Sequence, residues 1–165
     1  MALLSVSPRA AAAQAQVADA QLADLIADAV QHCAHFTIFD DVSISVINRQ
    51  VTIGGRVTQR SKRDEIAAMI GKIDGVRSVT NAITVLPPSS VDDDLRQRIA
   101  RAVYSHPSFR RYASMSCPPI HIVVENGRVT LTGQVADETE RVLAFSLAQV
   151  SGVADVQNQL RIDRR

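Results

Sequence analysis

The sequence predicts an α+β protein built from two αββαβ units, each a small three-stranded mixed sheet with two helices on one face. Three observations carry that expectation. The chain repeats itself: the block Asn48 to Val57 returns as Asn126 to Val135, 78 positions on, and Gly75 to Ile83 returns as Gly152 to Leu160, 77 positions on. Within each repeat, apolar residues recur at helical spacing, then alternate with period two, then return to helical spacing before a final alternating run. A proline-stiffened segment, Leu86-Pro87-Pro88-Ser89-Ser90, separates the copies.

Matched blocks in the same order, one residue out of step, mean a duplicated domain with a single deletion between the blocks. The boundaries read as residues 19–86 and 92–163, with a linker at 87–91. Each unit is close to the smallest size that buries a self-sufficient core, so the two are expected to lean on each other. Apolar residues make up 46% of the chain and aromatics 4%, without tryptophan, so the cores should be aliphatic. Residues 1–18 stand outside the repeat. They carry a short apolar stretch followed by small residues suited to cleavage, but lack a basic n-region and a full h-region. They read either as a signal-peptide remnant or as a disordered alanine-rich tail.

The first helix of each unit follows from Leu22, Leu25, Ile26, Ala29 and Val30, with Asp19 as cap, and from Leu95, Ile99, Ala102 and Val103 behind Asp92-Asp93-Asp94. Three aspartates ahead of a helix serve its positive end better than they serve a metal. A hairpin comes next. Asn126-Gly127 between alternating runs is the signature of a type I′ turn, and Asn48-Arg49 is its weaker counterpart, since Arg49 must take positive φ. Gly55 and Gly133 fall in phase with the inward aliphatics, which implies close approach of another backbone, expected to be a helix.

The second helix carries Ile66, Met69, Ile70 and Ile73 in one copy and Leu143, Leu147 and Val150 in the other. Thr58 or Ser61 is expected to cap the former, and Asp137 to Glu140 forms a capping box for the latter. Gly75 and Gly152 read as C′ residues. The last strand presents Val79, Asn81, Ile83 and Val85, repeated as Val156, Asn158, Leu160 and Ile162. An asparagine among inward aliphatics needs hydrogen-bond partners, so Asn81 and Asn158 are expected to pin backbone.

Function is less legible. Net charge is +1, which argues against a dedicated nucleic-acid binder. No apolar run approaches the ~20 residues that span a bilayer. Neither a nucleophile elbow nor a phosphate-cradling glycine loop is present, so no catalytic residue, cofactor or small-molecule substrate is expected. His32, Cys33 and His35 could be read as metal ligands, but they occur in one copy only and have no second cluster, so no metal is expected. Cys33 and Cys117 lie at non-equivalent places of the two units. A disulfide would have to bridge the units, and whether their Cα atoms come close enough is open. The basic residues are unevenly spread: from Leu95 to Val124 there are five arginines and no acid.

The pattern Val129-Thr130-Leu131-Thr132-Gly133-Gln134-Val135, a capped amphipathic helix, then Gly152-Val153 through Asn158 to Leu160, resembles the BON domain. Val51 to Val57 and Gly75-Val76 to Ile83 repeat it. The resemblance covers nearly everything outside the tail and linker, and its departures are Arg49 in place of a turn glycine and an insertion around His106 to Tyr112. It implies αββαβ units, export to the periplasm or attachment to the outer membrane, a role in envelope integrity under osmotic stress, phospholipid binding and no catalysis; a cytoplasmic location is the alternative. Arg96, Arg101, Phe109, Arg110, Arg111 and Tyr112 are then the candidate contacts to an anionic lipid surface, with guanidinium groups on phosphates and rings at headgroup level, the alternative for Phe109 and Tyr112 being a place in the second unit's core. The alternative is a protein-interaction or chaperone-like adaptor for envelope proteins, working through exposed sheet faces or edges.

Overall fold

The computed structural model describes residues 8–33 and 35–163. In the first unit, α1 (Pro8–Gln31) leads to β1 (Asp41–Ile47), β2 (Gln50–Val57), α2 (Arg60–Ile70) and β3 (Ser78–Val85). In the second, α3 (Ser90–Tyr104) runs through a 3-10 turn (Pro107–Phe109) into the short α4 (Arg110–Ala113). Then follow β4 (Ile120–Glu125), β5 (Arg128–Val135), α5 (Glu138–Ala148), β6 (Asp155–Asn158) and β7 (Arg161–Ile162). Each hairpin is antiparallel, and each helical crossover returns the chain parallel to the hairpin's second strand, as with Val51 beside Val79 and Val129 beside Val156. The first sheet has the order β1-β2-β3; the second has β4-β5-β6, with β7 continuing along β5.

Each unit has its own aliphatic core between one sheet face and its helices. In the first, Leu22, Ile26 and Val30 of α1 and Ile66 and Ile70 of α2 meet Val51, Ile53, Val57 and Ile83. In the second, Leu95, Ile99 and Val103 of α3 and Ala144 and Ala148 of α5 meet Ile122, Val124, Val129, Leu131 and Leu160. Leu143 and Leu147 are only partly buried, so the second α5 stripe is rotated onto its alanines, which let that helix approach closely. Leu25, expected in the core, is 54% exposed.

Local chemistry differs from the expectation at several points. Residues 8–18, read as tail, continue α1 towards the N-terminus, and residues 1–7 lie outside the described residues. Asp19 is therefore inside a helix, and α3 is capped by Ser89, whose side chain accepts the Asp92 N–H at 3.2 Å. Asp137 does cap α5, accepting the Glu140 N–H at 2.9 Å, while Glu140 reaches back to the Ala136 N–H at 3.0 Å. The cap of α2 is Gln59, without a side-chain bond, rather than Thr58 or Ser61. Gly75 and Gly152 do take positive φ (97° and 93°), but they lie beyond the helix caps Gly71 and Gln149, in the turns that launch β3 and β6.

The hairpin glycines also have another cause than the one expected. Gly55 and Gly133 have φ of 113° and 105°, and a Cβ there would stand 2.1 Å from the Asp41 carbonyl oxygen and 1.8 Å from that of Pro119. The backbone that comes close belongs to the neighbouring strand side of the hairpin, not to a helix. Asn81 and Asn158 do pin backbone. Asn81 donates to the Arg63 carbonyl of α2 at 3.2 Å and accepts the Ile83 N–H at 3.1 Å; Asn158 donates to Arg141 at 2.8 Å and accepts from Leu160 at 3.3 Å. Asn81 is exposed rather than buried. In the second unit the last strand is divided into β6 and β7, with the Gln159 N–H between them still on the Leu131 carbonyl of β5 at 2.8 Å.

The units lean on each other asymmetrically. On the outer face of the second sheet Val123, Thr130 and Thr132 are buried, at 0, 5 and 7% exposure. First-unit residues reach this region: Asp41 accepts from the Thr132 hydroxyl at 3.0 Å, Phe36 lies against the His121 ring at 5.3 Å, and the Ile38 carbonyl accepts the Ile122 N–H at 2.6 Å. The outer face of the first sheet, by contrast, leaves Ser43, Ser45, Thr52, Thr80 and Thr84 exposed.

Candidate functional site

The insertion in the second unit, His106 to Met115, holds most of the candidate residues. His106 caps its 3-10 turn by accepting the Ser108 N–H at 3.3 Å, and Pro107 supplies a preset φ at the first position. Phe109 is fully buried and Tyr112 is 8% exposed, so both rings face the core, stacked at 6.1 Å, instead of standing at the surface. They anchor the segment, and the expected aromatic contact with headgroups is replaced by this packing.

Around Tyr112 lies a compact polar network. Its hydroxyl donates to Glu140 Oε2 at 2.7 Å, and Arg111 bonds Glu140 Oε1 at 2.5 Å and the Tyr112 hydroxyl at 2.8 Å. The Arg111 guanidinium also lies over the Tyr112 ring, 4.6 Å from its centre. Burial, with the Glu140 carboxylate alongside, holds the Tyr112 phenol above its ordinary pKa while Arg111 pulls against them. Arg111 thus has a carboxylate partner within the protein, although its side chain remains 56% exposed.

Arg96 is buried as well. It pairs with Asp93 and donates to the Val124 carbonyl at 2.6 Å, tying α3 to the sheet. That leaves Arg101 and Arg110 as the candidates that are exposed and, among the described residues, not ion-paired, on α3 and on α4 that packs against it. Met115, 52% exposed on the wall of the cleft between the units, is an apolar side chain of this segment that the sequence reading missed. Its signal in the sequence is weak, since a lone methionine after a short helix has no periodic partner.

At the position in the first unit corresponding to Glu140 stands Lys62, and it too enters a buried network. Lys62 Nζ lies 2.7 Å from Asp40 Oδ2 and 2.8 Å from the Thr58 hydroxyl, with Asp40 fully buried. Asp40 also accepts from the Thr37 N–H and hydroxyl and from the Thr58 N–H and hydroxyl, at 2.7–2.9 Å. Burial pushes the Asp40 carboxyl up, but these bonds and the Lys62 charge outweigh it, and the group lies below the ordinary carboxylate range. This is a structural pair that locks the β1 entry to α2.

Between the units runs an open cleft of about 550 Å³, lined among others by Gln31, Phe36, Cys117, His121, Gln134 and Arg161. Burial holds His121 below its ordinary pKa, against the pull of Asp41, the backbone of Asp40 and Thr37, and the Asp40 carboxylate. His32 and His35 do not converge: His32 bonds the Asp28 carbonyl at 2.8 Å and His35 the Glu65 carboxylate at 2.8 Å. Among the described residues no group of three or more His, Cys, Asp or Glu could hold a metal ion.

A BON domain family model matches residues 18–87 and again 91–164. No curated protein sequence matches the chain. Two solved structures of CdsD, a structural protein of the Type III secretion system of Chlamydia trachomatis, are similar. One is 15% identical, covering 83% of this chain and 91% of that one, with a TM-score of 0.30. The other, the C-terminal domain, is 14% identical, covering 84% and 97%, with a TM-score of 0.29. At those scores the likeness carries nothing about function.

Proposed function

The chain belongs to the BON domain family, in two tandem copies, and from that premise we propose that it attaches to anionic phospholipid surfaces of the cell envelope. The family consists of non-catalytic binding modules, typically periplasmic or envelope-associated. Among the described residues no helix is long and apolar enough to cross a membrane. Attachment is therefore assigned to the protein surface. The observation that carries the reading is the second unit's insertion. Phe109 and Tyr112 fix it to the core, while Arg110 stands exposed on it and Arg101 stands exposed on α3, which packs against it. Exposed cations on a rigid base are what attraction to an anionic surface needs. Support of envelope integrity under osmotic stress, in a protein exported to the periplasm, is the physiological role that fits it.

Flotation with phosphatidylglycerol-containing and pure phosphatidylcholine vesicles tests this. Wild type should float with the anionic vesicles and be released by salt, as the Debye length falls from ~10 Å at 0.1 M to ~3 Å at 1 M. Each basic residue near the surface is worth about 1 kcal/mol, so Arg101→Ala with Arg110→Ala should weaken binding roughly tenfold to thirtyfold. Arg111→Ala should do less, since Glu140 already neutralises that charge. Equal flotation with both vesicle types, or with neither, would sink the proposal.

A second reading, an adaptor for envelope proteins, is favoured by the first sheet. Its hydroxyl-rich outer face is uncovered, β3 is an edge strand, and Ile47 is 64% exposed at the hairpin end. Binding through that face would resist salt.

A further inference from the structure

We propose that Cys33 and Cys117 are a redox-sensitive pair that forms a disulfide between the two units. Both cysteines are free thiols and both are partly exposed. The Cys117 thiol donates to the Gln31 carbonyl at 3.0 Å, a contact between residues 86 apart in sequence. Gln31 is the last residue of α1, and Cys33 follows two positions later, in the turn that closes that helix. Its N–H bonds the Val30 carbonyl at 3.1 Å, and its own carbonyl accepts the Phe36 N–H at 2.9 Å. The Cys33 backbone is thus held within a few ångströms of the carbonyl that the other thiol already touches.

The chain around the pair permits the last adjustment. Cys117 sits in the Ser114–Pro119 connection, outside any helix or strand, and Cys33 sits in a turn, so neither is locked in a ladder. The two positions are not related by the internal repeat, and each unit contributes one. Such a bond therefore has one structural consequence that a bond within a unit would lack: it joins the α1 terminus to the segment leading into β4, at the wall of the cleft. Cross-linking across so long a loop removes much of the unfolded chain's freedom.

The chemistry is thiol–disulfide exchange. One cysteine thiolate attacks a sulfur of an oxidant disulfide, forming a mixed disulfide and releasing one thiolate of the oxidant. The second cysteine thiolate then attacks the protein sulfur of that mixed disulfide, closing the Cys33–Cys117 bond and releasing the other oxidant thiolate. The two protein thiols lose two electrons and two protons; the electrons reduce the oxidant and its thiolates or solvent take the protons. A small-molecule or protein disulfide of an oxidising envelope compartment suffices as oxidant.

The full chain, incubated with oxidised glutathione, tests the pair. The intact mass should fall by two hydrogen atoms, both free thiols should vanish on titration, and a non-reducing peptide map should link Cys33 to Cys117. Gel filtration should show an unchanged elution volume, and the melting temperature should rise by several degrees and return with dithiothreitol. Cys33→Ser or Cys117→Ser should melt like the reduced wild type and gain a single glutathione without a rise. Two stable glutathione adducts, a disulfide-linked dimer, or thiols that stay unreacted would each overturn the assignment.

Discussion

Asp92 stands in the first turn of α3, yet its carboxylate serves a hairpin: Oδ1 accepts the Gly127 N–H at 2.8 Å and Oδ2 that of Asn126 at 2.8 Å. The first unit repeats the clamp, with Asp19 of α1 accepting from Asn48 at 2.6 Å and Arg49 at 2.9 Å. Both turn residues in each hairpin have positive φ, which turns their two N–H groups the same way and makes a small anion-holding concavity. Each copy thus uses its first helix to fix its own hairpin.

Removing that carboxylate should be costly in the second unit, where Asp92 is 2% exposed. Asp92→Ala leaves two N–H groups unpaired and should destabilise by about 2–4 kcal/mol. Asp19→Ala, at a more open site, should cost about 1 kcal/mol. Urea midpoints of the two variants measure the difference, and equal losses would contradict it.

Arg49 has φ of 64° where the second unit has Gly127. A left-handed conformation costs a non-glycine residue about 1–2 kcal/mol, so Arg49→Gly should stabilise the protein by up to about 1 kcal/mol after glycine's own entropy is counted. Thermal melts give the sign directly.

Gly133→Ala separates two reasons for the glycine. If a helix filled the space, alanine would be tolerated and larger residues penalised. Since the clash is between the first side-chain carbon and the Pro119 carbonyl, alanine should already cost about 2–4 kcal/mol through strain and a forced shift of β4. A wild-type melting temperature for Gly133→Ala would refute the strand-clash account.

The Asp40–Lys62 pair makes an acid-dependent contribution. The folded pKa of Asp40 is depressed, so its stabilisation is fully present above the unfolded value of about 3.9 and is lost as pH falls through the folded value. Asp40→Asn should flatten the acid limb of a stability–pH curve. Asp40→Ala, leaving Lys62 buried without its counter-charge, should cost about 3–5 kcal/mol at neutral pH. Lys62→Met with Asp40→Leu should recover only part of that loss, because the Thr37 and Thr58 N–H groups then lack their acceptor.

The sequence by itself determined the duplication, the αββαβ order, the parallel third strand and both type I′ turns. All of these rest on periodicity or on residues whose local backbone preference is strong, such as Asn126-Gly127. The asparagines were legible for a similar reason, as polar breaks in an apolar register. Tertiary structure decided the rest. The sequence could not tell a headgroup-facing Phe109 from a buried one, because amphipathic rings suit either place. Nor could it tell a cap from a clamp, because Asp92 has the same chemistry in both and only the approach of the hairpin supplies its two N–H partners. The same limit applied to Arg111 and Glu140, to Lys62 and Asp40, and to Cys117 beside Gln31. Each joins residues far apart in the chain, and the energy of such a pair depends on a distance that only the packed units set.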